Sequence, residues 1–243
     1  MLLKKEFEFV ESSSPITEPI SKFGGQPVWI NTPHWPIDSE KGNQMLFMGQ
    51  IAFDVELFPK SGEMMAYLFI SGSADPLYNQ AIGIVIQSKD NAFVSENTND
   101  WVKFTEANTG PSIFELDNNR EPVYKEYSIK FGPLVEEEEI AVDERVGWED
   151  LDLEDGYTFT YPELAGKKIG GQPLYIEGKT VPHPYFTEDQ WINFLQLAPL
   201  EGYRENLRPN FYPFYMEMGE FGILNIFLSE DFSKVGGYVQ GPS

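Results

Sequence analysis

A nine-residue segment occurs twice in this 243-residue chain, 146 positions apart, and it constrains the fold more than any other feature. The first copy reads KFGGQPVWI at residues 22–30, and the second reads KIGGQPLYI at residues 168–176, with six identical positions. At the same offset, MLFMGQI at residues 45–51 matches WINFLQL at residues 191–197. Because no residue is inserted or lost between the two blocks, the pattern indicates an internal duplication in which both halves share one local structure.

Short hydrophobic runs along the chain predict strands and leave little room for helices. The segment at residues 45–53 carries aromatic residues and a central glycine without a helix cap, which favours a buried strand. The duplication extends that assignment to residues 188–198. The 18 prolines and 21 glycines interrupt the chain at short intervals and exclude long helices. Further predicted strands are residues 64–70, 81–87, 223–228, 236–240 and the alternating segment 123–131.

These patterns predict an α+β, β-rich fold of two similar halves related by a pseudo-twofold axis, with few short helices. We expect one compact body over residues 1–243. Within it we place a first repeat at residues 20–90, an insert with an acidic connector at residues 91–160, and a second repeat at residues 161–243.

Charge excludes several classes of partner. The chain has 39 acidic and 17 basic residues, a net charge of −22, so its field repels the phosphates of nucleic acids and of anionic membranes. Eleven of the acids lie between Glu136 and Asp155, a run typical of an exposed connector or of a helix with a solvated face. An acidic surface attracts cations or a basic protein, although acidity also serves solubility alone.

Neither a membrane span nor a secretory signal is evident in the sequence. No segment reaches the ~18 to 20 apolar residues that a membrane helix requires. Residues 1–9 lack the apolar run of a signal peptide. The chain has no cysteine, which excludes disulfides and thiolate chemistry and suits a reducing compartment. We therefore expect a cytoplasmic protein.

The repeated turn places a glutamine at the same point of each half. Gly-Gly permits positive φ, and the proline biases the residue before it, Gln26 or Gln172, towards an extended conformation. The strand that follows begins with an aromatic residue, Trp29 or Tyr175. Because a glutamine amide offers both donors and an acceptor, each glutamine either stabilises its own turn or faces a ligand. The first interpretation is favoured, and the second keeps these four residues as candidate ligand-binding residues.

Three further candidate ligand-binding residues are Trp35, His34 and His183. Two histidines without a carboxylate partner give only a weak metal signal, and we expect no metal and no cofactor. The DLDLEDG segment at residues 150–156 lacks the spacing of an EF-hand loop. The sequence has no phosphate-binding glycine loop and no HExxH or GxSxG motif, so no catalytic residue is named.

Three segments, in order along the chain, carry a resemblance to a known family. They are KFGGQPVW at residues 22–29, Trp35-Pro36 followed by MLFMGQI at residues 45–51, and GEFGILNIF at residues 219–227. The chain thereby resembles the YwqG-like bacterial domain family of unknown function. The resemblance implies an α+β fold of two similar halves and no established activity. The chain departs from the family pattern in lacking a substantial N-terminal helical segment and in its long acidic connector.

Two functions stay open from the sequence. The favoured one is a non-catalytic interaction protein whose acidic surface captures a basic protein. The alternative is a small-ligand or carbohydrate-binding domain, or a hydrolase, with a cleft between the halves lined by aromatic and carboxylate residues. A deep cleft with convergent carboxylates of raised pKa would favour the alternative. One broad acidic face would favour the first.

Overall fold

The computed structural model describes residues 2–38, 41–71, 82–91, 96–97, 103–141, 148–150, 157–159, 161–175, 191–198, 214 and 222–240. Within these residues the fold consists almost entirely of β-strands, and the helical content is one 3-10 turn at Pro162–Leu164. The α component of the predicted α+β fold is therefore missing from the described part of the chain. Short segments rich in aromatic and β-branched residues, bounded by glycine and proline, favour strands over helices.

The strands are short and are spread over the whole chain. In chain order they are β1 (Leu2–Glu11), β2 (Lys22–Gly24), β3 (Trp35–Ile37), β4 (Leu46–Ala52), β5 (Met64–Ile70), β6 (Ile82–Ser88), β7 (Glu96–Asn97), β8 (Lys103–Thr105), β9 (Glu115–Leu116), β10 (Pro122–Val123), β11 (Glu126–Phe131), β12 (Val135–Glu137), β13 (Trp148–Asp150), β14 (Tyr157–Phe159), β15 (Lys167–Gly170), β16 (Trp191–Leu197), β17 (Ile223–Ser229) and β18 (Lys234–Gln240).

Twelve of these described strands form one sheet. Its spatial order is β6-β5-β4-β2-β11-β1-β15-β16-β17-β18-β7. The twelfth strand, β12, pairs with the N-terminal part of β1, whereas β11 pairs with the C-terminal part of β1. The strands of the first half therefore lie on one side of the central pair β11 and β1, and those of the second half lie on the other. The sheet curls until its ends meet, since a Cβ atom on Gly237 of β18 would lie 2.8 Å from Ile82 of β6. Among the described residues, no helix has the length and apolar character needed to cross a membrane.

The segments that repeat in sequence also share their strand register. Lys22 of β2 lies opposite Gln50 of β4, and β15 pairs with β16 in the same register 146 positions further along. An irregularity of the ladder follows Phe47 in β4 and Asn193 in β16, again 146 positions apart. The likeness between the halves thus includes hydrogen-bond register and a β-bulge.

One apolar core occupies the inner side of the curled sheet and draws on both halves. Ile51, Leu68 and Ile84 from the first half belong to the same buried cluster as Leu197 and Ile226 from the second. Each such side chain contributes about 1.5–3 kcal/mol when it is removed from water. In the described residues, packed apolar side chains therefore lie where the alternative function requires a cleft between the halves.

Candidate functional site at the second Gly-Gly-Gln-Pro turn

The lysine that begins each repeated motif is buried and paired with a glutamate. Lys22 and Lys168 are 1% and 0% exposed. Lys22 Nζ lies 2.9 Å from Glu126 Oε2, and Lys168 Nζ lies 3.1 Å from Glu137 Oε1. A buried ammonium group needs such a partner, because an uncompensated charge is costly to remove from water. Each half therefore contains a buried Lys–Glu pair at the start of its repeat.

The second glycine of each motif makes room for that glutamate. Gly25 and Gly171 have φ values of +67° and +69°, in the region that favours glycine. A Cβ atom on Gly171 would lie 2.6 Å from Glu137 Oε2, and one on Gly25 would overlap the carboxyl group of Glu126. The motif thus combines a lysine that binds a carboxylate with a glycine against which the carboxylate packs.

Glu137 has more partners than this one lysine. Its Oε1 also lies 3.1 Å from Lys4 Nζ, and its Oε2 accepts the backbone N–H of Gln172 at 2.6 Å. Lys4 lies opposite Gly170 in the sheet. The first half has a glutamate, Glu126, at the equivalent position opposite its own glycine. Because a lysine stands there in the second half, the carboxylate comes from β12 instead.

Burial and neighbouring charges shift the pKa values of this cluster. Burial lowers the pKa of Lys168 to about 8, and the carboxylate of Glu137 only partly offsets the loss of water. Burial also opposes ionisation of Glu137, but Lys168, the Gln172 N–H and Lys4 outweigh it and hold the pKa of Glu137 below its usual value. Lys4 is desolvated too, yet Glu137 and Glu6 raise its pKa. At neutral pH the cluster is therefore a compact network of charged groups.

Both repeated glutamines bind neighbouring backbone. Gln172 is fully buried, accepts the N–H of Ile140 at 2.7 Å and donates to the carbonyl of Glu138 at 2.7 Å. Gln26 is half-buried, donates to the carbonyl of Gly110 at 2.9 Å and accepts its N–H at 3.0 Å. Each amide anchors a separate segment to its turn. In the second half, that segment is the start of the acidic stretch.

The acidic stretch begins as a strand and not as a free connector or a helix. β12 contains Glu137, which is buried, while its neighbours Glu136, Glu138 and Glu139 are exposed. Further along, residues 148–150 form β13. The prediction of a wholly solvated run is wrong at Glu137, because two lysines and a backbone N–H bind its carboxylate. Residues 142–147 and 151–155 of the stretch lie outside the described residues.

A pocket of about 550 Å³ lies beside the Lys–Glu cluster. The charges of Lys4 and Lys168 are matched by Glu137 and by Glu6, whose Oε1 lies 3.1 Å from Lys4 Nζ. The exposed acids of the lining therefore leave the pocket with an excess of negative charge. The residues that give it this charge are Glu136, Glu138, Glu139 and Glu163, and Tyr161 also lines the pocket.

The aromatic candidates from the sequence pack within the protein. Trp35 and Tyr175 are fully buried, and Trp35 Nε1 donates to the carbonyl of Met45 at 2.9 Å. Trp29 is half-buried, and its Nε1 donates to the carbonyl of Asn108 at 3.2 Å. Trp29 and Trp35 pack together against the outer face of the sheet in the first half and do not line an open groove.

The histidine candidates fall in different parts of the chain. His34 is half-buried, its Nδ1 bonds to the carbonyl of Thr32 at 2.9 Å, and its ring packs edge-on against Phe104. His183 lies outside the described residues, so a site that joins both histidines stays a prediction. Among the described residues, no group of three or more His, Asp or Glu side chains is arranged to hold a metal ion.

Sequence reasoning missed the two Lys–Glu pairs that organise the repeated turns. The lysines stand inside the repeat, and a lysine kept in both copies beside Gly-Gly was the available signal. The glutamate partners left no signal in the sequence, because Glu126 is 104 residues from Lys22 and Glu137 is 31 residues from Lys168. The two glutamates come from unrelated places, so the 146-residue offset does not find them.

Comparison with known proteins identifies a family for this chain and no characterised relative. A family model described as DUF1963, a domain of unknown function, matches residues 21–236. A search among curated proteins finds no match. The matched range includes both Gly-Gly-Gln-Pro turns and both buried Lys–Glu pairs. The chain belongs to the DUF1963 family, whose domain has no known function.

Proposed function

We propose that this protein is a non-catalytic binding protein that captures a basic segment of a partner protein on its acidic surface. The observation that carries the proposal is the acid-lined pocket beside β12. Glu136, Glu138 and Glu139 are exposed around it, while the charge of Glu137 is used inside the protein. Lysine or arginine side chains of a partner are the groups that such a lining attracts.

The exposed carboxylates stand on a backbone that is held in place. The ion pair between Glu137 and Lys168 anchors β12. The residues that follow β12 are held by the side chain of Gln172, which bonds to the backbone of Glu138 and Ile140. A backbone fixed before binding loses less conformational entropy when a partner docks. This anchoring favours a role in recognition for the exposed glutamates, rather than a role in solubility alone.

The pKa values of the carboxyl groups favour binding over acid catalysis. A general acid of the carboxyl type needs a raised pKa near neutrality. In the described residues, the carboxyl groups with displaced pKa values, Asp117, Glu137 and Asp231, are all displaced downwards. Such groups stay ionised at neutral pH and do not serve as general acids there.

The charge of the whole chain supports the same partner chemistry. A net charge of −22 raises the local concentration of basic groups and speeds their encounter with the surface. The absence of cysteine suits a reducing compartment. We propose that the interaction takes place in the cytoplasm.

We also propose that the two halves descend from one duplicated unit, packed as a pseudo-twofold pair in one body. The shared register, the bulge at the same position and the buried lysine that begins each turn support this origin. The YwqG-like assignment rests on the sequence motifs quoted above.

The test of the function is a pull-down from a lysate of the source cell with three proteins at two salt concentrations. The wild type is compared with a pocket variant and with a control variant that loses as many exposed charges elsewhere. The pocket variant is E136Q/E138Q/E139Q, and the control is E18Q/E106Q/E121Q.

We expect the wild type and the control to retain a basic protein at ~0.1 M salt and to lose it at ~1 M, because the Debye length falls from ~10 Å to ~3 Å. The pocket variant should not retain it at either concentration. Equal recovery by the pocket variant and the control, or recovery that resists high salt, would contradict the proposal.

A further inference from the structure

Two buried asparagines lie side by side on the outer face of the second half. Asn193 of β16 and Asn225 of β17 are 4% and 1% exposed. Asn193 lies opposite Phe227, and Asn225 is two residues before Phe227, so the asparagines are diagonal neighbours on one face. The residues between them in β17 and β16, Ile226 and Leu195, belong to the inner core.

Each of the two amides donates one hydrogen bond to a backbone carbonyl, and neither amide oxygen accepts one. Asn193 Nδ2 donates to the carbonyl of Gly170 at 3.1 Å, and Asn225 Nδ2 donates to the carbonyl of Leu174 at 3.0 Å. In the described structure, the Oδ1 atoms of both asparagines are buried without a hydrogen-bond partner. Buried acceptors are almost always paired in native proteins, so two neighbouring exceptions indicate a bound group. That group must donate hydrogen bonds, since the two unpaired atoms are both acceptors.

The matching positions of the first half are filled differently. Phe47 occupies the place of Asn193, and Tyr67 occupies that of Asn225 in the strand register. Tyr67 Oη donates to the carbonyl of Val28 at 2.9 Å and accepts the N–H of Ile30 at 2.8 Å, so its polar atom is satisfied. The unpaired acceptors are therefore a property of the second half and not a requirement of the fold.

Aromatic rings lie on the same face as the asparagines. Trp191 is two residues before Asn193 on β16, and Phe227 is two residues after Asn225 on β17. Both rings belong to one buried cluster with Tyr175. Aromatic faces attract cations, and ammonium groups donate hydrogen bonds without accepting any. Acceptor oxygens next to aromatic rings match that chemistry.

We infer that this outer face binds a primary ammonium group, with Asn193 Oδ1 and Asn225 Oδ1 as acceptors and Tyr175, Trp191 and Phe227 as an aromatic wall. The ammonium belongs either to a free amine or to a lysine side chain. The site is separate from the pocket beside β12 and does not depend on the function proposed for that pocket.

The test is a titration of the full chain followed by NMR of the asparagine side-chain amides. The probes are methylammonium chloride and Nα-acetyl-lysine amide, with potassium chloride at equal ionic strength as the control. Saturable shifts of the Asn193 and Asn225 signals with methylammonium alone assign the site to free amines. Saturable shifts with both probes extend it to lysine side chains. Absence of shifts at these two signals, or equal shifts with potassium, overturns the inference.

A variant test uses the residues of the first half. Asn193→Phe together with Asn225→Tyr should weaken methylammonium binding by at least about tenfold, because both acceptors for the charged donor are lost. If that protein does not fold, Asn225→Leu removes one acceptor at similar size and should weaken binding in the same direction. Unchanged affinity in a folded variant overturns the inference.

Discussion

Glu137 Oε1 lies 3.1 Å from Lys168 Nζ, and this buried pair joins the repeated motif to the acidic stretch. Lys168 begins the second copy of the motif, and Glu137 ends β12. The Gln172 N–H and Lys4 bind the same carboxylate. One interior contact therefore positions the exposed acids on which the proposed function depends.

Replacing Glu137 by Gln should destabilise the protein strongly. The variant leaves the ammonium group of Lys168 buried without a charged partner, which typically costs about 3–5 kcal/mol. Urea denaturation measures the loss in the free energy of unfolding. The matched control is Glu136→Gln, an exposed neighbour, for which a change within about 0.5 kcal/mol is expected. Equal effects of the two substitutions would show that the pair does not hold β12.

A methyl group at Gly171 should cost more than a methyl group at another glycine with the same backbone conformation. Gly171 and Gly62 both have positive φ, +69° and +57°, so alanine is strained by about 1–2 kcal/mol at either position. At Gly62 nothing lies within 4 Å of the added Cβ, whereas at Gly171 the Cβ displaces the carboxylate of Glu137. Thermal melts of Gly171→Ala and Gly62→Ala should therefore differ, with the larger loss at Gly171. Identical melting temperatures would refute the packing role.

The two repeated glutamines should contribute unequally to stability. Gln172→Ala leaves the N–H of Ile140 and the carbonyl of Glu138 without their partner in a buried place, at about 1–3 kcal/mol. Gln26→Ala should cost less, because Gln26 is half-buried and water can replace part of its bonds to Gly110. Melting curves of the two variants provide the comparison. A larger effect at Gln26 would contradict this ranking.

The repeat predicted the strands of the two halves well, because register and buried hydrophobic positions depend on local sequence. β4 and β16 were assigned by comparing the two copies, and both are strands with the same bulge. The partners of Lys22 and Lys168 could not be predicted, since a contact between distant segments leaves no local periodicity. The burial of Glu137 within a run of four glutamates was hidden for the same reason. Composition shows that this run is charged, and only the fold selects which member enters the interior.

The contribution of Lys168 to stability should rise with pH between about pH 8 and pH 10. Its pKa is about 8 in the folded protein and 10.5 in the unfolded chain. Within this window the folded protein has released a proton that the unfolded chain still binds, so higher pH favours folding. The difference in unfolding free energy between wild type and Lys168→Met should grow by about 2 kcal/mol from pH 8 to pH 10. Denaturation series at both pH values measure it, and a constant difference would show that Lys168 does not titrate there.

The most direct measurement of the central claim is the affinity of a short lysine-rich peptide for the pocket variant and for the control variant. Titration calorimetry at ~0.1 M salt should show that E136Q/E138Q/E139Q binds at least about threefold more weakly than E18Q/E106Q/E121Q, since each of the three lost contacts between exposed charges contributes ~0.2–1 kcal/mol. The control should bind as the wild type does, because its neutralised residues lie outside the pocket lining. Equal affinities of the two variants would contradict the claim that the acids beside β12 capture a basic partner.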